Sequence, residues 1–191
     1  MRIIGGTAAG KIIKVPKGQG VRPTQDRVRE AIFNSLGASV AEAVMLELFG
    51  GSGALSFECL SRGAKAAQCI ELSSKHARFI QQNLKLCNLR AGSFNVAVED
   101  VFHAIPRLAK AGRKFDLIMA DPPFGEKNVN TRSKSLSQKL LDDEHLPELL
   151  AEDGVFVLGH THRDQLELTP AWKERKFMRH GDSCMRFLLR A

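Results

Sequence analysis

At 191 residues, with 43% hydrophobic and 26% charged side chains, the chain is long enough to bury its own core, and no apolar run nears the roughly 18 residues of a membrane span. A net charge of +7 points to a polyanionic partner, and Met1-Arg2-Ile3-Ile4-Gly5-Gly6 has neither the apolar core nor the cleavage pattern of a secretory signal, so a cytoplasmic protein is expected. Cys59, Cys69, Cys87 and Cys184 are far apart and form no Cys-x-x-Cys pair, which fits reduced structural thiols better than disulfides or metal ligands.

The positive charge is gathered at the front. Arg2, Lys11, Lys14, Lys17 and Arg22 all precede the first acid, Asp26, and form a basic arm. Within it, short β-branched runs (Ile3-Ile4, Ile12-Ile13, Val15) alternate with glycines, the pattern of a small hairpin or β-ribbon. Arg22-Pro23-Thr24 supplies an extended residue and a helix cap, after which Val28, Ala31, Ile32 and Leu36 recur at helical spacing and predict a helix over 25–36. Arg22, Arg27 and Arg29 near its start oppose the helix dipole; a phosphate ligand would relieve that conflict, and so would solvent. Residues 1–40 thus read as a basic extension on a main domain of residues 41–191.

From Val44 the pattern alternates strand with helix. Strands are predicted over 44–49, 68–71, 95–98, 115–120 and 155–158, with helices over 54–60, 75–86 and 101–109 between the first four, implying right-handed crossovers and a parallel sheet covered on both faces. Residues 125–135, with Lys127, Arg132 and Lys134, have almost nothing to bury and read as a loop over the carboxyl edge of the sheet, where such folds bind ligands. Residues 136–150 read as largely helical, interrupted near Pro147, and residues 173–177 and 184–189 as a closing antiparallel hairpin. Trp172 is a core residue by this reading, and His160 and His162, without further ligands, are surface residues rather than a metal pair.

Two stretches carry chemistry. Glu47, Phe49, Gly50, Gly51, Ser52 and Gly53 form a strand end running into a glycine turn that opens a helix, where the backbone can approach a ligand and free N–H groups favour an anion. A nicotinamide-binding turn would want glycine or alanine where Ser56 stands. Glu71, with Leu72 after it, ends the second strand at a position suited to ribose hydroxyls, or merely to solvent. Asp100, followed by Val101, can meet an adenine amino group or cap the next helix. The second stretch is Asp121-Pro122-Pro123-Phe124, after an apolar strand. Two prolines remove N–H donors and stiffen the turn, leaving a carboxylate, free carbonyls and a ring converging on one spot. That set can grip a planar base by its exocyclic amine, with stacking worth about 1–3 kcal/mol; the plainer alternative is a Pro-Pro turn after a strand. An adenosine pocket beside an amine-gripping turn points to methyl transfer from S-adenosylmethionine.

The pairing of residues 47–53 with Asp121-Pro122-Pro123-Phe124 resembles the class I S-adenosylmethionine-dependent amino-methyltransferases. Arg2-Ile3-Ile4-Gly5-Gly6, Arg22-Pro23-Thr24, Arg29-Glu30-Ala31-Ile32-Phe33-Asn34 and Ser61-Arg62-Gly63-Ala64 are similar to the RsmD family of bacterial 16S rRNA guanine-N2 methyltransferases. The resemblance covers most of the chain and implies an α/β, Rossmann-like fold with a mostly parallel seven-stranded sheet, S-adenosylmethionine as cofactor and no metal. It further implies 16S rRNA, within a small subunit or its assembly intermediate, as substrate for a monomeric enzyme. RNA contacts are expected from Arg2, Lys11, Lys14, Arg22, Thr24, Arg27, Arg29, Lys127 and Arg132. Glu47 and Gly50 stand where the family pattern has aspartate and alanine, and Gly159-His160 follows the fifth strand where an acid is usual. An adenine-N6 methyltransferase of DNA or RNA would share the two main motifs, a non-catalytic RNA-binding module would need only the arm, and a nicotinamide oxidoreductase fits the glycine spacing poorly.

Overall fold

A computed structural model describes residues 1–16, 24–90, 92–123 and 132–191. In chain order the elements are α1 (Asp26–Leu36), β1 (Val44–Leu48), α2 (Ala54–Ser61), β2 (Ala66–Glu71), α3 (Ser74–Cys87), β3 (Phe94–Val98), α4 (Val101–Lys110), β4 (Phe115–Ala120), α5 (Leu136–Leu141), β5 (Leu150–Thr161), β6 (Trp172–His180) and β7 (Ser183–Arg190). They build a seven-stranded sheet of order β3-β2-β1-β4-β5-β7-β6, parallel except for the antiparallel β6–β7 hairpin that closes one side. No helix among the described residues is long and apolar enough to cross a membrane.

The central strands are apolar at nearly every position because helices cover both faces. Leu46, Ile118, Ala120, Phe156 and Leu158 face one cluster with α4 and α5; Met45, Leu117, Met119, Val155 and Val157 face the other, with α1 and α2. Each such leucine or isoleucine removed from water contributes about 1.5–3 kcal/mol. Strand order turns around between β1 and β4, the point where open α/β sheets leave a crevice at their carboxyl edge.

The described part of the amino-terminal arm packs onto this body. Ile3, Ala8 and Ile13 are buried against Ala54, Phe57, Ile80 and Cys87. The carboxylate of Glu58 accepts the backbone N–H groups of Ile4 and Gly5, each at 2.8 Å. Gly6 has φ +75°, and a Cβ there would lie 1.8 Å from the Ser61 carbonyl oxygen, so only glycine allows this approach.

The described part of the arm turns back on itself: Arg2 bridges Ile12, the Ile3 N–H donates to the Lys11 carbonyl and the Ile13 N–H to the Met1 carbonyl, each at 2.9 Å, while the N–H groups of Ile4, Gly5 and Ala8 between these sides bond to Glu58 and Ser61 of α2. Two sequence expectations change. Residues 136–150 are not one interrupted helix. α5 stops at Leu141; Asp143 Oδ1 then accepts from the N–H groups of His145 and Leu146, holding a turn, and only a short 3-10 segment follows at Pro147–Leu149. β5 runs to Thr161, so Gly159 and His160 lie inside the strand, paired with Met185 and Cys184. Trp172 is buried as expected, with Nε1 donating to the Leu141 carbonyl, and the four cysteines are free and buried.

Candidate active site

Parallel pairing sets Leu48 of β1 beside Ala120 of β4, so both strands deliver the residues that follow them to one rim. A crevice of about 730 Å³ opens there, within the size range of small-molecule sites. Phe49, Gly50, Gly51 and Ser52 line one wall, Glu71, Leu72, Asp100 and Val101 another, and Thr24, Asp121, Pro122 and Pro123 a third. The glycine turn and the proline turn therefore share one cavity.

The glycine wall is built by close approach. A Cβ at Gly50 would meet Cys69 Sγ at 2.3 Å, and one at Gly53 would meet the Phe57 ring at 2.7 Å. Gly51 and Gly53 have φ of +56° and +76°; Phe49, at φ +61°, holds a left-handed conformation that an aromatic residue rarely adopts, and it bends the chain sharply after β1. Gly53 caps α2 behind the wall, packed on Phe57 and Ile80, rather than lining the cavity. Glu47 lies deeper, where its carboxylate accepts the Ser56 N–H at 3.0 Å and the Ser56 hydroxyl, tying β1 to α2. Burial pushes its pKa up to about 7, against the opposing effect of the Ser56 bonds.

Glu71 ties the wall to β2: Oε2 accepts the Gly51 N–H at 2.7 Å and Oε1 the Ser73 N–H at 2.8 Å. Oε2 keeps a further lone pair for a hydroxyl, while His76 Nδ1 stands 3.5 Å from Oε1. Asp100 caps α4, accepting from the Phe102 N–H at 2.8 Å, while still lining the crevice. Leu72 is 69% exposed, an apolar face turned to the cavity. Phe102, absent from the sequence expectations, stands opposite Phe49 at 6.3 Å and carries the Lys139 ammonium 3.8 Å from its ring centre. Its place two residues after Asp100 was the available signal; Lys139 and Leu136, brought in by α5, have no local signature.

On the third wall, Asp121 Oδ2 accepts a 2.5 Å hydrogen bond from Thr24 Oγ1. Gly159 on β5 lies beside the same carboxylate: a Cβ there would sit 2.4 Å from Asp121 Oδ1. Phe124, Arg22 and Lys127 fall outside the described residues. Of the expected RNA contacts, Arg2, Lys11, Lys14 and Arg27 are exposed on the arm and α1. Arg132 is exposed but ion-paired with Asp142 and Glu167. Thr24 lies in the crevice, bonded to Asp121. Arg29 does not fit an RNA role, because its side chain is fully buried and its guanidinium donates to Thr24 O, Arg2 O and Asp26 Oδ1. His160 also departs from expectation: it is buried, its ring beside Phe177 and Nδ1 2.9 Å from the Thr161 carbonyl oxygen. Burial lowers its pKa. Among the described residues no cluster of metal-ligating side chains occurs.

This strand order, with a reversed last strand and a crevice at the switch point, is the Rossmann-like fold of class I methyltransferases. Over all of this chain, and 97% of the other, it superposes with TM-score 0.77 and 31% identity on a solved protein named "Putative methyltransferase yhhF from Escherichia coli". Residues 1–189 match the family described as Conserved hypothetical protein 95, and the chain belongs to that family, the RsmD family. It is 40% identical to "Ribosomal RNA small subunit methyltransferase D" of Escherichia coli K12 over 65% of this chain, an alignment spanning 60% of that relative. The protein of the same name in Haemophilus influenzae is 34% identical over 89% of this chain and 83% of the relative.

Proposed function

We propose that the protein transfers a methyl group from S-adenosylmethionine to the exocyclic N2 of a guanine in 16S rRNA. The observation that carries this is the single crevice shared by the Gly51 turn and the Asp121 turn at the ends of adjacent parallel strands. The residues fit the cofactor. Glu71 keeps a lone pair on Oε2 for a ribose hydroxyl, Leu72, Val101 and Phe102 offer apolar surface for a purine beside the Asp100 carboxylate, and the bare backbone at Gly50 and Gly51 admits the amino-acid end. Bound there, the cofactor would supply an electrophilic sulfonium methyl that needs no metal.

The chain's own work is on the amine. A guanine N2 lone pair is delocalised into the ring and attacks poorly until its N–H bonds are drawn toward acceptors. Asp121 and the Pro122 carbonyl are those acceptors, and Asp121 is positioned to take the proton that N2 gives up as its bond to carbon forms. Pro122 and Pro123 keep the turn from relaxing, so most of the acceleration comes from holding nitrogen in line with the methyl group. Phe124 is assigned the stacking face on sequence grounds. The amine has to leave any base stack to enter the crevice, so the nucleotide is unpaired or flipped. Arg2, Lys11, Lys14 and Arg27 hold backbone phosphates outside.

The test is methylation of 16S rRNA, and of small subunits prepared from a strain lacking this gene, with labelled cofactor and mapping of the product. N2-methylguanine at one position is expected. N6-methyladenine, or no transfer despite bound cofactor, overturns the proposal.

A further inference from the structure

We infer that Thr24 is a positioning residue for Asp121, through which the amino-terminal extension aims the group that grips the substrate amine; the inference rests on the reading of Asp121 as that acceptor. Thr24 Oγ1 lies 2.5 Å from Asp121 Oδ2, although the two residues are 97 positions apart. The other carboxylate oxygen sits where a Cβ of residue 159 would intrude, 2.4 Å away, had β5 anything but glycine there. The Thr24 donor and the close approach of Gly159 thus bear on the carboxylate from two sides.

Thr24 is itself anchored. Arg29 Nη1 donates to the Thr24 carbonyl at 2.8 Å, while Nη2 donates to Arg2 O at 2.5 Å and to Asp26 Oδ1 at 3.1 Å. A guanidinium with none of its side chain exposed is costly to desolvate, and its planar fork joins groups at fixed angles. The methylation chemistry gives this buried arginine no task; bracing Thr24 does. The line of contact continues outward, since the next residues of the arm are bonded to Glu58 of α2. Thr24 also lines the crevice, and its branched side chain has few χ1 options.

The experiment compares full-length wild type, Thr24→Val, Thr24→Ser and Asp121→Ala on unmethylated 16S rRNA, with single-turnover rates, KM for RNA and cofactor binding measured for each. Thr24→Val keeps the shape and removes the hydroxyl; it should slow methyl transfer about 10- to 100-fold, the cost of a misplaced reacting group, with KM for RNA and cofactor affinity near wild type. Thr24→Ser should recover most of the rate. Adding Thr24→Val to Asp121→Ala should cost nothing more, because the two act as a unit. A wild-type rate in Thr24→Val, a rise in KM for RNA at unchanged rate, or a serine variant no better than valine each overturns the inference. Thr24→Ala carries the same expectations should valine fail to pack. A slow Asp121→Ala beside a fast Thr24→Val removes only the role of Thr24, whereas a fast Asp121→Ala removes the reading of Asp121 on which it rests.

Discussion

The two turns that face each other across the crevice are stiffened in opposite ways. The turn at 49–53 bends because glycine permits it, and its ties are local: Glu47 to Ser56, Glu71 to Gly51 and Ser73. The turn at 121–123 is stiff because proline cannot do otherwise, and the groups around its carboxylate come from far away, Thr24 before it and Gly159 after it. The glycine turn is therefore complete once two neighbouring strand–helix units have formed, and β3 and α4 add Asp100 and Val101 to that half of the site. The other exists only when the extension, β4 and β5 are all docked. Damage to the docking should silence the second half while sparing the first.

Asp121→Ala breaks the comparison most sharply. It should lower single-turnover methyl transfer about 10²- to 10⁴-fold, the range for a positioned proton acceptor, while cofactor affinity measured by calorimetry changes little. Equal losses in both would show that the halves are not separable.

Glu47 sharpens the other side, through pH. Its folded pKa of about 7 stands above the ordinary 4.5, so the folded state holds a proton that the unfolded chain has released. Stability contributed by the protonated form is then complete at low pH and is lost as pH rises from about 4.5 to about 7. A shift of this size corresponds to about 3 kcal/mol, which denaturant unfolding at pH 5 and pH 7.5 can resolve. In Glu47→Gln the pH dependence should flatten. A wild type whose stability rises over that interval would mean that Glu47 is ionised in the folded protein.

Gly53→Ala is a smaller change on the same wall. A left-handed φ costs a side chain about 1–2 kcal/mol, and the new Cβ would press on Phe57. Cofactor binding should weaken about tenfold as the turn shifts, a change within that energy range, with RNA affinity unaltered. RNA affinity falling in parallel would tie the glycine turn to both ligands.

The same contrast explains what could be read in advance. The parallel sheet, the glycine turn and the proline turn are written in short windows, as apolar runs and fixed-spacing residues, so they were legible from residues 44–53 and 115–123 alone. Asp100 as a helix cap was one of two local readings, and the structure adopts it. What stayed hidden depends on distant pairing. Nothing near Arg29 marks it as buried, because an arginine at a helix start has the same local pattern whether it faces phosphate or the Thr24 and Arg2 carbonyls. Lys139 over Phe102 and Gly159 beside Asp121 are likewise meetings across the sheet. The docking of the arm is hidden in the same way, because the Glu58 carboxylate that takes the Ile4 and Gly5 N–H groups lies more than fifty positions on.

The smallest effect separates two kinds of cation in the extension. Lys11 and Lys14 are exposed, whereas Arg29 is an internal brace, so the basic character of the segment does two unrelated jobs. If Lys11 and Lys14 meet phosphates, replacing both by alanine should lower the slope of log affinity against log salt by about 1.5, with the fold intact. Arg29→Ala should behave differently. Removing a buried donor leaves the Thr24 and Arg2 carbonyls without a partner, at about 1–3 kcal/mol each, so the melting temperature should fall while the salt slope stays put. A salt slope unchanged by the double lysine substitution would assign the arm's exposed charge to solubility, and leave its buried contacts as its contribution to the site.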